Sequence, residues 1–181
     1  MKIEKIYLAG GCFWGTEHYM KDVNGVTGTR VGYVVGKDGE SVAVDPKYVT
    51  YRNVCAGNGH AEAVEVEFDA DVTTLREILE EFSYTIDPTI INRQGPDVGV
   101  QYRTGIYYLE ESYPDHAETV TEFLTELQKE YQDPVVTENY PLLQFVEAEE
   151  YHQKYLIKNR FGYCHINFAE VARKKALKTA K

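Results

Sequence analysis

Tryptophan occurs once in this 181-residue chain, methionine twice and cysteine three times, and no apolar run approaches the length of a membrane-spanning helix. Three widely separated cysteines do not make a disulfide scaffold, and they lack the close pairing of a zinc ligand set, so no metal site is supported. Basic residues are scarce as well. With 19 Lys and Arg against 29 Asp and Glu, the formal charge of −10 argues against nonspecific binding to nucleic acid or to an anionic membrane, both of which need a positive field. The exception, Arg173-Lys174-Lys175-Ala176-Leu177-Lys178, reads as a solvated helix or a fraying end. Gly36-x-x-Gly39 lacks the Lys-Ser/Thr of a phosphate loop, and no cofactor motif is present. The first residues carry charges (Lys2, Glu4, Lys5) and run straight into strand pattern without a signal-peptide stretch, which makes a cytoplasmic location the default expectation.

What the chain has in quantity is tyrosine, whose 15 hydroxyls are enough to line a polar pocket. Its lone tryptophan lies in Gly10-Gly11-Cys12-Phe13-Trp14-Gly15, between the strand-like run Ile6-Tyr7-Leu8-Ala9 and a helix-compatible segment from Thr16 to Lys21. Cys12 therefore falls at a strand-to-helix turn. The unpaired N–H groups there and the positive end of the helix dipole favour thiolate over thiol, so the expectation is a lowered Cys12 pKa. Phe13 and Trp14 offer an apolar wall beside it. The plainer alternative is a buried, inert cysteine, since cysteine is among the most buried residue types.

Along the chain, Arg30-Val31-Gly32-Tyr33-Val34-Val35 reads as a second strand, and residues 36–59 lose periodicity as a long ordered loop or a set of short turns. In Glu62-Ala63-Val64-Glu65-Val66-Glu67-Phe68, alternation puts Val64, Val66 and Phe68 on one face, with Glu62 sharing their parity. Two readings of Glu62 stay open: a rim residue reaching water, or a buried acid with a raised pKa. Glu65 and Glu67 are expected on a solvated face. Thr74-Leu75-Arg76-Glu77 has the form of a capping box, followed by Ile78, Leu79 and Phe82 at helical spacing. The turn-rich stretch from Asp87 to Asp97 is a second candidate site loop, leading through Gln101-Tyr102-Arg103 to the strand Ile106–Leu109; in its plainer reading Arg93 and Asp97 satisfy backbone groups or each other. Pro114-Asp115 begins the longest helix. Short strands at Val135-Val136 and over 142–146 precede a last helix from Glu149 to Leu156, beyond which residues 159–181 form an irregular, mobile C-terminal segment holding Cys164. With no repeats and too few βα alternations for a barrel, the expected architecture is one two-layer α+β domain over 1–181.

Three chemistries compete for Cys12. One is thiol redox chemistry; a second is a Cys-His acyl hydrolase, in which one of five scattered histidines reaches the thiol; the third is a peptide-binding pocket in which Cys12 is incidental. His60, just before Glu62, is either a supporting group behind it or an ordinary structural histidine.

Gly11-Cys12-Phe13-Trp14-Gly15, Gly57-x-Gly59-His60-Ala61-Glu62, Asp87-Pro88-Thr89 and Arg93-Gln94-Gly95-x-Asp97-x-Gly99-x-Gln101-Tyr102-Arg103 resemble, in order, the signature segments of the peptide methionine sulfoxide reductase A family. The similarity runs from about Ile6 to Cys164. It implies Cys12 as nucleophile, Phe13 and Trp14 as the cradle of the substrate's S-methyl group, and Glu62 as the acid at the sulfoxide oxygen. By the same resemblance Asp97 and Tyr102 line the pocket and Cys164 is a recycling cysteine. The second tyrosine at the oxygen is Tyr51 by its distance to Cys55 or Tyr48 by its proline, because the spacing around Pro46 departs from the family pattern; Tyr51 is favoured. Cys55 reads as a buried small residue without a chemical role. The tail lacks a further recycling cysteine, which favours a direct Cys12–Cys164 disulfide. The implied fold is a two-layer sandwich with a ferredoxin-like, split βαβ core and a mixed sheet. The implied activity is thioredoxin-dependent reduction of the S epimer of methionine sulfoxide, free or in proteins, as protein repair under oxidative stress.

Overall fold

The computed structural model describes residues 1–181. In chain order the elements are β1 (Ile3–Gly10), α1 (Phe13–Met20), β2 (Val26–Gly36), α2 (Tyr51–Cys55), β3 (Ala61–Asp69), α3 (Leu75–Ser83), β4 (Arg93–Gln94), β5 (Asp97–Val98), β6 (Thr104–Tyr108), α4 (His116–Gln128), β7 (Glu138–Glu147), α5 (Tyr155–Lys158) and α6 (Phe168–Thr179). The class is mixed α+β, as expected. Five long strands pair in the order β1-β3-β2-β7-β6, antiparallel except for β6 with β7, while β4 and β5 make a separate small hairpin.

The sheet departs from the expected two-layer sandwich because it closes on itself. β7 is the reason: its first half pairs parallel with β6 at Glu138–Pro141, and its second half pairs antiparallel with β2 from Leu142 onward. Strands cross closely there. A Cβ on Gly32 would stand 2.4 Å from the Phe145 ring and 2.5 Å from the Val146 carbonyl oxygen, so only glycine permits the approach.

Strand alternation then sorts side chains between two apolar clusters. Val64, Val66 and Phe68 of β3 pack with Ile6 and Leu8 of β1, Ile78, Leu79 and Phe82 of α3, and Val120 and Phe123 of α4. Each such fully buried side chain contributes roughly 1.5–3 kcal/mol. Ala61 and Ala63 face the other way, where their small size leaves room for the rings of Tyr7 and Tyr107 inside the closed sheet. Glu65 shares that inner face, so it is buried rather than solvated; it accepts from the Tyr7 hydroxyl at 2.9 Å and from Arg30 Nε and Nη2 at 2.8 and 2.7 Å.

Local chemistry explains most boundaries. The capping box at Thr74 and Glu77 is formed, and α4 is the longest helix. Val135 and Val136 are not in a strand, because their N–H groups go to the Gln128 side chain and the Pro88 carbonyl instead of a ladder. The helix expected from Glu149 to Leu156 is broken into a 3-10 turn, Glu150–His152, and the short α5. Two anchors break it. Gln153 docks on β2, accepting from Val31 N–H at 2.9 Å and donating to the Val31 and Ala148 carbonyls. Lys154 turns left-handed at φ 53 as its N–H and ammonium reach the buried carboxylate of Glu17. The C-terminal segment is not irregular throughout, since α6 forms there, capped by Asn167 and tied to α3 by Lys175–Glu81 and Lys178–Glu80 ion pairs. No helix is long and apolar enough to cross a membrane.

Gln153→Ala strands the buried N–H of Val31, and we expect it to cost about 2–4 kcal/mol, read as a lower denaturant midpoint at unchanged slope.

Candidate active site

The chain leaves β1 through Gly11, at φ +86, and Cys12 becomes the N-cap of α1. This is the strand-to-helix turn the sequence predicts. The Trp14 and Gly15 amides do favour the Cys12 thiolate, but Cys12 is only 7% exposed. Burial, followed by the charge of Glu62, pushes the thiol above the ordinary range. The expected lowering is therefore reversed, because desolvation outweighs the amides of one helix turn.

Glu62, at the start of β3 and 2% exposed, accepts from the Phe13 N–H at 3.2 Å. Burial, with a smaller contribution from the Asp97 charge, raises its pKa to about 8 against that stabilising amide. Of the two readings left open by its parity, the buried acid holds. At neutral pH both Glu62 and Cys12 keep their protons, and a neutral Glu62 no longer opposes ionisation of the thiol.

Two phenols lie within reach of that carboxyl's charge. Tyr51 begins α2 behind the Thr50 cap; burial first, then the Cys55 thiol beside it and the Glu62 and Cys12 charges, push it up to about 12. Tyr102 closes the 3-10 turn Val100–Tyr102 and is raised by burial, Glu62, Tyr51, Asp97 and Cys12. Tyr48 is not brought to the site. It is 56% exposed on the 3-10 turn Pro46–Tyr48, under the Lys47 ammonium, and its carbonyl is held by Asn53. Cys55 is exposed rather than buried, one helical turn from Tyr51.

Of the two wall residues, Phe13 is 1% exposed and packs on Tyr33 and His152 within the core. Trp14 is half-buried, stacked on Tyr155 at 3.7 Å between ring centres and donating Nε1–H to His152 Nδ1 at 3.0 Å. Asp97 does not pair with Arg93; it accepts from the Tyr163 hydroxyl at 3.0 Å, and Arg93 caps the Gly95 carbonyl. That bond ties the C-terminal segment to the β4–β5 hairpin. Next to it, Cys164 and His165 press on α1: a Cβ on Gly15 would lie 3.1 Å from Cys164 Sγ and 2.9 Å from His165 Nδ1. His165 Nε2 donates to the Gly10 carbonyl at 2.9 Å.

All three cysteines are free thiols. None of the five histidines hydrogen-bonds Cys12: His60 pairs with Gln144, His116 with Glu4, His152 with Trp14 and His165 with Gly10, and His18 Nδ1 has no partner, so the resting site holds no Cys-His pair of the kind an acyl hydrolase uses. His152, Tyr155, Tyr163 and His165 are the site neighbours that sequence reasoning missed. The close run Tyr151-His152-Gln153-Lys154-Tyr155 was the available signal for two of them, hidden by its likeness to an amphipathic helix.

A buried thiol at a helix start, facing a proton-bearing carboxyl and two phenols, defines a site for thiol chemistry on a small polar group. The chain belongs to the peptide methionine sulfoxide reductase family, whose model, "Peptide methionine sulfoxide reductase", matches residues 4–181. It is 49% identical over 166 residues to peptide methionine sulfoxide reductase MsrA of Clostridium tetani, covering 91% of this chain and 94% of that one. Among solved structures, it resembles Mxr1 of Saccharomyces cerevisiae in reduced form, with TM-score 0.79 and 36% identity over 91% of this chain and 90% of that one. Mxr1 in complex with Trx2 matches at TM-score 0.58 and 26% identity, covering 85% of each chain.

With Cys12 buried and protonated, we expect iodoacetamide at neutral pH to modify exposed Cys55 at least about tenfold faster than Cys12, measured by site-resolved mass spectrometry.

Proposed function

We propose that the chain reduces methionine S-sulfoxide, free or in proteins, to methionine through thiol chemistry at Cys12, and is reset by thioredoxin or a similar dithiol. The observation that carries this reading is the buried, proton-bearing Glu62 held by the Phe13 amide beside the Cys12 turn. A sulfoxide sulfur is a poor electrophile until its oxygen takes a proton or strong hydrogen bonds, so the reaction needs a neutral acid and donors facing a thiol.

In the mechanism, Glu62 protonates the sulfoxide oxygen while Tyr51 and Tyr102 donate to it, and Trp14, with Phe13 behind it, grips the S-methyl group. The Cys12 proton passes to the Glu62 carboxylate as the Cys12 S–O bond forms and the substrate S–O bond breaks. Methionine leaves, and Cys12 is oxidised by two electrons to a sulfenic acid. Cys164 then attacks Cys12 Sγ; the S–S bond forms and the oxygen departs as water. An external dithiol returns two electrons and two protons. The packing of Cys164 on Gly15 supports its role, and the solved complex of the related Mxr1 with Trx2 supports the reductant. Asp97 orients the site through Tyr163.

We read residues 1–181 as one catalytic domain, with 159–181 moving during recycling, and a reducing cytoplasmic setting suits the three free thiols. The order β6-β1-β3-β2 supports reading the core as a ferredoxin-like split βαβ unit, onto which β7 adds the closing strand.

Reduced protein without added reductant should form one equivalent of methionine and lose two thiols; Cys12→Ser should form none. Cys164→Ser should keep that first turnover but lose cycling with thioredoxin, and unimpaired cycling would show that Cys164 is not the resolving thiol. The single-turnover rate should fall as pH rises through about 8, where Glu62 gives up its proton. Glu62→Gln should be slower by roughly a hundredfold or more and lose that limb. A wild-type rate undiminished well above this range would remove Glu62 as the acid.

A further inference from the structure

Gly15 is shared by the two cysteines of the proposed cycle: its amide favours the Cys12 thiolate, and a Cβ placed on it would lie 3.1 Å from Cys164 Sγ. The helices attached to these cysteines meet a second time, away from the site. α1 opens at Cys12 and carries Tyr19 near its end, while α6 follows Cys164 and carries Lys175. Both side chains go to one carboxylate of α3. Glu81 Oε2 accepts from the Tyr19 hydroxyl at 2.6 Å and pairs with the Lys175 ammonium at 2.8 Å. That ammonium also lies 5.6 Å from the Tyr19 ring centre and 5.7 Å from that of Tyr84. Lys174 donates to the Ile86 carbonyl at 2.8 Å, and Lys178 stands 3.6 Å from Glu80 and 3.5 Å from Glu130. The cations expected on a solvated helix are thus turned onto the body of the protein. These ties carry weight because apolar burial is thin there. Val171 is the one buried residue of α6, and a helix of 12 residues is marginal by itself in water.

We propose that α6 is the fixed end of the recycling segment, and that Glu81, by joining α1 to α6, is a positioning residue that holds Cys164 at the first turn of α1 for attack on oxidised Cys12. The proposal rests on Cys164 as the resolving thiol. It narrows the moving part of the C-terminal segment to residues 159–167, between α5 and α6. A thiol tethered next to its target reacts at a high effective concentration, and freeing one end of the tether lowers it. In this step the Cys164 thiol gives up its proton, its sulfur bonds to Cys12 Sγ, and the sulfenic oxygen leaves as water. Before Cys12 is oxidised Cys164 has nothing to attack, so the first step is independent of the Glu81 bridge.

In single turnover, quenched samples separate methionine release from formation of the Cys12–Cys164 bond, read by thiol-resolved mass spectrometry, with dimedone trapping the sulfenic acid that waits. Glu81→Lys sets two ammonium groups against each other. It should release methionine within about twofold of the wild-type rate, form the disulfide about fivefold more slowly and leave more Cys12 to be trapped. Exchanging the charges, Glu81→Lys with Lys175→Glu, should restore disulfide formation to within about twofold, which a general loss of packing would not allow. Val171→Asp, which puts a carboxylate into the buried contact, should undock α6 and slow that step about tenfold or more. The equilibrium of the Cys12–Cys164 bond with glutathione needs no sulfoxide and should shift toward the thiols in the same order. Disulfide formation and equilibrium unchanged in both single variants, methionine release slowed by the same factor, or a loss that the exchanged pair leaves unrepaired would each overturn the proposal. If wild-type protein formed no Cys12–Cys164 bond, the resolving role of Cys164 would fail and the proposal with it. If it formed the bond with glutathione but no methionine, only the reading of the substrate would fail. Should Val171→Asp not fold, Glu81→Lys and the exchanged pair decide it.

Discussion

A carboxyl group placed on the apolar face of a strand is the constraint around which the site is built. Glu62 continues the face that carries Val64, Val66 and Phe68 into the helix-covered core, where an ionised carboxylate has no cation to meet. Its one protein partner is the first amide of α1, so the acid and the thiol are fixed to each other through a single peptide unit. Burying them together raises both pKa values and makes the resting pair neutral. A thiol made reactive in isolation would be exposed to any oxidant or alkylating agent. In the mechanism proposed above, the proton leaves when a substrate oxygen can take one in exchange.

The second carboxylate of the same strand follows the opposite logic. Glu65 is as buried as Glu62, but it meets Arg30 and the Tyr7 hydroxyl, so its charge is matched. Glu17 is buried too and meets Lys154. The three buried glutamates thus differ by their partners: Glu65 and Glu17 each meet a cation, and Glu62, which meets none, has its pKa raised to about 8 by burial. The contrast also shows what the sheet contributes, because Glu65 is interior only where β7 bends to pair on both sides.

Much of this was legible in the residues. Strand parity put Glu62 with the core, the Gly-Cys-Phe-Trp turn marked the thiol, and the capping box at Thr74 appears as written. Three features were hidden for physical reasons. The sign of the Cys12 shift depends on burial, which a local helix-start argument does not contain. The burial of Glu65 depends on closure of the sheet by a strand some seventy residues later in the chain. The break in the expected helix after Glu149 comes from Gln153 and Lys154 reaching β2 and Glu17, contacts between segments far apart in sequence that override local periodicity.

Closure of the sheet also bears on the company such a protein keeps. An open sheet ends in a row of free N–H and C=O groups on which any extended polypeptide can add itself as another strand. Oxidatively damaged proteins expose such segments, and an enzyme that meets them repeatedly risks being recruited into their aggregates. In the ring β1-β3-β2-β7-β6 no outermost long strand exists. Strand addition is left only the half-edges where β7 passes from β6 to β2, and the rest of any contact with an unfolded client falls to side chains and loops.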